Sequence, residues 1–166
     1  SGPASPQHFA METFKSLAKI DIIHVPYQGG APSTIAALGG HTSILVGNVS
    51  EAAPHVASGK LRAIAVTSLK RSDVLKDVPA VAETGFPGFD LNIWYGAWVP
   101  AGTPKDAVNR LSAEIIRALQ LPEVKDGLGT LGLSTAAMGP DEFDVFFRAE
   151  VRRYEKIAKE VNIKID

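Results

Sequence analysis

The stretch Ile20–Gly40, IDIIHVPYQGGAPSTIAALGG, constrains the fold more than any other part of the chain. Its apolar run, Asp21–Pro26, carries Ile22, Ile23 and Val25 and reads as a strand. A turn with two adjacent glycines follows. Then comes a short helix over residues 32–38, with Pro32 at its first position and Gly39-Gly40 beyond its end. A turn between the carboxyl end of a strand and the start of a helix is where open α/β sheets hold ligands. Gly29 and Gly30 either let backbone N–H groups close on a small acceptor-rich ligand or make no more than a tight connection.

The same alternation runs through the first half of the chain. Ser5 as N-cap and Pro6 at the first helical position open a helix over residues 6–18, with Met11, Phe14, Leu17 and Ala18 on one face. SILVGN, residues 43–48, is a second apolar run, and residues 51–58 form a helix capped by Ser50 and stopped by Gly59. LRAIAVT, residues 61–67, is a third run, whose near-continuous apolar character suits a parallel sheet covered on both faces. Asp77 caps a short helical turn running through Pro79 to Thr84. The order is αβαβαβα, with connections too long for hairpins, so residues 21–26, 43–47 and 61–67 are predicted to be parallel neighbours in one sheet.

The character changes after Gly88. LNIWYGAWVP, residues 91–100, is rich in aromatic and β-branched side chains. Thr103 as cap and Pro104 as first residue open an amphipathic helix with Val108, Leu111, Ile115 and Leu119 on one face. A shorter helix runs from Pro122 to about Leu131. Pro140 opens the longest, to residue 161, docked by Phe143, Phe147 and Tyr154. The best single boundary falls near residues 88–92.

Composition narrows the chemistry. The 166 residues suffice for one core or for one lobe of something larger. Lys plus Arg number 17 against 18 Asp plus Glu, with no basic stripe, which argues against nucleic acid as a partner. The absence of cysteine excludes thiol nucleophiles, thiolate metal sites and disulfides. No run approaches a membrane span, and the first residues, SGPASPQH, contain no export signal.

His8, His24, His41 and His55 form no HExxH pattern and no pair at metal-ligand spacing. His24 lies inside an apolar run and reads as a core or rim residue; His8, in a first helical turn, either bonds a ligand or packs. Ser5, Ser43 and Ser50 lack a GxSxG context and a partnered histidine and acid, so a Ser/His hydrolase is a poor reading. The Walker and Rossmann glycine patterns are missing as well. What remains is a set of helix starts and glycine turns: Ser5, residues 28–31 and residues 48–50. Brought to one cleft edge they would offer hydroxyls, amides and backbone donors to a carboxylate; kept apart they are three ordinary helix caps.

HVPYQGGAP at residues 24–32, the following ALGG, PHVASGKLRAIAVTSLKRS at 54–72, DVPAVAETGFPGFD, WVPAGTP and PEVKDGLGTLG together resemble the extracytoplasmic solute receptors of tripartite tricarboxylate transporters, the Bug or TctC-like family. The likeness spans essentially the whole chain. It implies an α/β fold, the parallel-sheet lobe of a two-lobed, type II-like periplasmic binding protein, with a strand and helices returning to the other lobe. Residues 1–90 would be the second lobe without its preceding strand, and 91–166 the return segment of the first lobe. The resemblance also implies a truncated receptor, lacking the amino-terminal lobe and its leader, which is restored by the missing lobe or by self-association.

The implied function is capture of a small carboxylate in the periplasm for membrane subunits of such a transporter, with no enzymatic step, cofactor or metal. A self-associating structural module is the rival. The ligand positions implied are Ser5 and His8 at the first helix start, Tyr27, Gln28, Gly29, Gly30 and Ala31 in the turn, and Gly47 and Asn48 at a strand end. The family pattern at that last pair is Asp-Asn, so Gly47 removes an acid that could hold a ligand ammonium. That favours a plain carboxylate.

Overall fold

The computed structural model describes residues 2–163. Its elements are α1 (Pro6–Ala18), α2 (Gly30–Leu38), α3 (Val49–Ala57), a 3-10 turn (Val81–Glu83), α4 (Lys105–Gln120), α5 (Pro122–Thr130) and α6 (Pro140–Glu160). The chain divides into two compact units, residues 1–93 with 156–166, and residues 94–155.

In the first unit α1 begins where the sequence places it. The Ser5 hydroxyl accepts the His8 N–H at 3.3 Å, and Lys19 ends the helix in the left-handed conformation. Helix α2 starts two residues earlier than expected. Gly29, at φ 102° and ψ −175°, takes the cap position, and Pro32 falls third in the helix, where no intrahelical donor is needed. Helix α3 is capped by Asn48 rather than Ser50, because the N–H groups of Glu51 and Ala52 both bond the Asn48 carbonyl at 3.1 Å.

The three apolar runs do not pair as neighbours. Among the described residues no strand ladder forms, and one parallel bridge joins Val66 to Ala80. Val66 N–H bonds the Pro79 carbonyl and Val81 N–H bonds the Val66 carbonyl, both at 2.9 Å, so the third run is tied to the segment after it. Residues 22–25 with Tyr27 and residues 41–46 line a common cavity, and no backbone hydrogen bond between the two runs is found among the described residues.

The segment before the 3-10 turn also differs. Ala80, not Asp77, holds the cap position, and the Glu83 carboxylate accepts the Ala80 N–H at 3.1 Å while also pairing with Arg71. The core of this unit is small: Phe9, Ala10, Ala36, Val66, Ala80, Val81, Phe89, Leu91 and Ala158 are buried. Phe14 sets its ring edge-on to Phe86 and Phe89 at 5.2 and 6.4 Å.

The second unit is organised by Trp94. Its ring meets Phe143, Phe146 and Phe147 of α6 edge-on at 5.2 to 6.2 Å, and its Nε1–H donates to Glu150 at 3.1 Å. Trp98 packs on Phe143 and Phe147. Gly96 is required between the two tryptophans, since a Cβ there would strike the Phe143 ring and lie 2.8 Å from Trp98. Docking of α6 by Phe143 and Phe147 is thus observed, although both rings remain half-buried. Thr103 does not cap α4, because its hydroxyl donates to the Pro100 carbonyl at 2.8 Å; Pro104 holds the cap position.

Candidate functional site

Three helix starts converge in the first unit. The Gln7 amide of α1 donates to the Asn48 side-chain oxygen at 3.1 Å, joining the first turn of α1 to the cap of α3. Glu51, third residue of α3, lays its carboxylate against the Cα of Gly30, the first residue of α2. These two contacts connect the segments that hold Ser5 and His8, Gln28 to Ala31, and Gly47-Asn48.

Each position has a physical role there. Gly29 takes a backbone conformation open essentially to glycine alone, and its N–H closes on the Tyr27 carbonyl at 2.9 Å. That turn frees the N–H groups at the α2 start, with the positive end of the helix dipole behind them. The end of the Glu51 side chain occupies the space that a Cβ on Gly30 would enter. Gln28 and Ala31 are exposed, Tyr27 half-buried. Gly47 places no acid beside Asn48.

His8 is already engaged. Its Nδ1 accepts the Ala4 N–H at 3.1 Å, its ring stacks on His24 at 4.0 Å, and Nε2 lies 3.8 Å from Glu12. Burial, and after it the neighbouring His24, hold its pKa below the ordinary value of 6.5. Ser5 is likewise committed to its cap. Both serve the site by fixing the start of α1.

Gln7 and Glu51 were not singled out by sequence. Glu51 is the more consequential, because its Oε2 is shut from solvent and receives no hydrogen bond. Such an orphaned acceptor costs about 1–3 kcal/mol or more, which the α2 dipole offsets only in part. The turn that could take a ligand anion thus holds the chain's own carboxylate. Thr34 Oγ1 nearby is also buried without a partner. Among the described residues, no cluster of three metal-ligating side chains exists, and no helix is long and apolar enough to cross a membrane.

Glycine turns and helix starts gathered at one edge are where α/β lobes hold ligands. Residues 1–163 match the tripartite tricarboxylate transporter family receptor, and the chain belongs to that family. It is 33% identical over 164 residues to a UPF0065 protein from the tcbD-tcbE intergenic region of Pseudomonas sp. (strain P51), covering 98% of this chain and 49% of that one. The chain therefore spans about half the length of that relative. Its backbone is similar to R. palustris Rpa4515, solved with adipate, at a TM-score of 0.88 and 30% identity, covering 96% of this chain and 53% of that one. It is also similar to MatC from Rhodopseudomonas palustris, solved with bound malate, at a TM-score of 0.73 and 28% identity, covering 90% and 52%. The expected fold class, an α/β lobe of a periplasmic solute-binding protein, holds in these likenesses; the direct pairing of the three apolar runs does not.

Proposed function

We propose that this chain forms part of a receptor that captures a small mono- or dicarboxylate and delivers it to the membrane subunits of a tripartite tricarboxylate-type transporter. The observation that carries this reading is the convergence of three helix starts through Gln7–Asn48 and Glu51–Gly30. The adipate and malate in two similar structures support the ligand class. Ser5, His8, Tyr27, Gln28, Gly29, Gly30, Ala31, Gly47 and Asn48 frame the site. The ligand carboxylate takes the α2 start, and the flexible Glu51 side chain swings into solvent to admit it. Binding is non-covalent, and closure of a second lobe carries the bound state to the transporter. In that arrangement residues 1–90 are the second lobe, residues 91–166 return to the first, and the receptor works in the periplasm, as the members of its family do.

Calorimetric titration with adipate, malate and succinate tests this. Binding by at least one, tightened in Glu51→Gln, is the expected result, with thermal stabilisation of about 2.7 kcal/mol at a hundredfold excess over Kd. No heat and no stabilisation from any of the three at millimolar concentration would remove the proposal. A second reading, a self-associating module, draws on exposed apolar side chains such as Ile23, 84% exposed, and Trp98, 61% exposed. Sedimentation over a concentration range separates the two: a mass above 17.6 kDa favours association.

A further inference from the structure

One residue holds two others at the start of α1. The backbone N–H of His8 donates to the Ser5 hydroxyl at 3.3 Å, and its imidazole Nδ1 accepts the Ala4 N–H at 3.1 Å. Ala4 stands at φ 55°, in the left-handed region that a residue with a Cβ enters only against steric resistance. The Ser5 N–H bonds the Gly2 carbonyl at 3.3 Å, so residues 2–5 turn tightly into the helix. A Cβ on Gly2 would lie 3.7 Å from the Tyr27 carbonyl. This turn therefore abuts the glycine turn that precedes α2.

The Ala4 bond fixes the state of the His8 ring. Nδ1 must offer a lone pair, which puts the proton of the neutral ring on Nε2. In the imidazolium both nitrogens donate. Nδ1–H would then face the Ala4 N–H, donor against donor, and the bond would be lost. At the other nitrogen stands Glu12, whose carboxylate lies 3.8 Å from Nε2, too far for a hydrogen bond to the neutral ring. That carboxylate, shared with Lys15 at 2.8 Å, attracts the ring only once it is charged.

The surroundings act on the same proton. Burial and then His24, whose ring stacks on His8 at 4.0 Å, favour the neutral form; Lys15 and the chain's amino terminus add to this, and Glu12 opposes it. His41 lines the same cavity as both rings. The Ala4 bond is thus complete above pH 6.5 and lost as pH falls through the lowered folded value.

We propose that His8 is a proton-operated latch on the carboxylate site. Neutral, it pins residues 2–5 beside the turn that precedes α2; protonated, it turns to Glu12 and releases them. The site then loses the fixed edge that Ser5 supplies, and carboxylate affinity falls with acid. That regulation rests on the carboxylate reading above, whereas the latch does not.

The test uses the 166-residue chain. Nitrogen NMR of the imidazole side chains should show His8 as the Nε2–H tautomer at pH 7.5, and between pH 7.5 and 5 the Ala4 amide signal should titrate with the His8 midpoint. His8→Asn keeps an acceptor at the place of Nδ1 and cannot titrate, so its Ala4 amide should stay in place. Calorimetry with adipate, malate and succinate gives the second readout. A proton that excludes the binding form weakens affinity about tenfold at one pH unit below the midpoint. Protonation of the ligand itself enters both proteins alike, so the extra loss should appear in the wild type alone, whatever the variant's affinity at pH 7.5. An Nδ1–H tautomer, an Ala4 amide that ignores His8 or follows His24, the same Ala4 titration in His8→Asn, or equal acid weakening of both proteins overturns the proposal. Absence of carboxylate binding at pH 7.5 removes the carboxylate reading instead, and the Ala4 titration then decides the latch alone. If His8→Asn does not fold, the wild-type tautomer and titration still decide.

Discussion

Gly29 and Gly30 are adjacent, yet a Cβ meets a different obstacle at each, and alanine substitution separates the two. Gly29 lies at φ 102° and ψ −175°, a region essentially closed to residues with a Cβ. Gly29→Ala should therefore cost about 1–3 kcal/mol whatever surrounds it, since nothing lies within 4 Å of its added Cβ. Gly30 has ordinary helical backbone, and its Cβ would meet only the end of the Glu51 side chain. That end is flexible, and its burial is already unfavourable because Oε2 has no partner. Gly30→Ala should expel the carboxylate and change stability by no more than about 0.5 kcal/mol.

Urea denaturation measures both. With m of about 1–3 kcal/mol/M, Gly29→Ala should lower the midpoint by roughly 1 M at unchanged slope, and Gly30→Ala should leave it nearly in place. The double variant Gly30→Ala/Glu51→Ala should behave like Glu51→Ala alone, since the clash has no second partner. Equal losses at the two glycines, or a larger loss at Gly30, would refute the assignment of strain to one and steric contact to the other.

Other outcomes follow from the same geometry. Asn48→Ala should cost about 0.5–1.5 kcal/mol through the lost Gln7 bond, because the Asn48 side chain makes no capping bond; Gln7→Ala should cost the same and the double variant no more, which a mutant cycle in urea reads directly. Phe147→Ala should cost about 2 kcal/mol, short of the 3–5 of a fully buried ring, because Phe147 is half-buried beside Trp94 and Trp98. Because folding depresses the pKa of His8, its contribution to stability is complete above the unfolded value of 6.5 and is lost as pH falls through the lowered folded value. Stability measured from pH 7.5 to 5 should therefore decline with acid, and His8→Gln should flatten that decline; an unchanged slope would exclude His8 as its source.

Helix starts signalled by a fixed residue pattern were legible in the sequence. Ser5-Pro6 specifies the α1 start through a side-chain acceptor and a ring with fixed φ, both local properties. The pattern places the α2 start two residues late, because Pro32 suits a first helical position, whereas a glycine conformation invisible in composition sets the start at Gly30. Thr103 carries the right hydroxyl for a cap, but that hydroxyl reaches the Pro100 carbonyl first. The aromatic run after Gly88 announced a second cluster, and the Phe143, Phe146 and Phe147 spacing places three rings on one side of α6 against Trp94.

The apolar runs show where such reading stops. Period and composition mark residues 21–26 and 43–47 as non-helical and apolar, but they cannot say which edge meets which. Pairing depends on what stands between two runs, and here a cavity does. The same limit hid Glu51. Its place in the first turn of α3 suits an acid favoured by the helix dipole, a sufficient local reason for its presence. Its contact with Gly30, 21 positions earlier in the chain, follows only once α2 and α3 lie side by side. A glycine that sequence explains by turn geometry is then explained by a carboxylate. The candidate site is therefore defined less by the residues that resemble a ligand motif than by the two side chains, Gln7 and Glu51, that hold its three helix starts together.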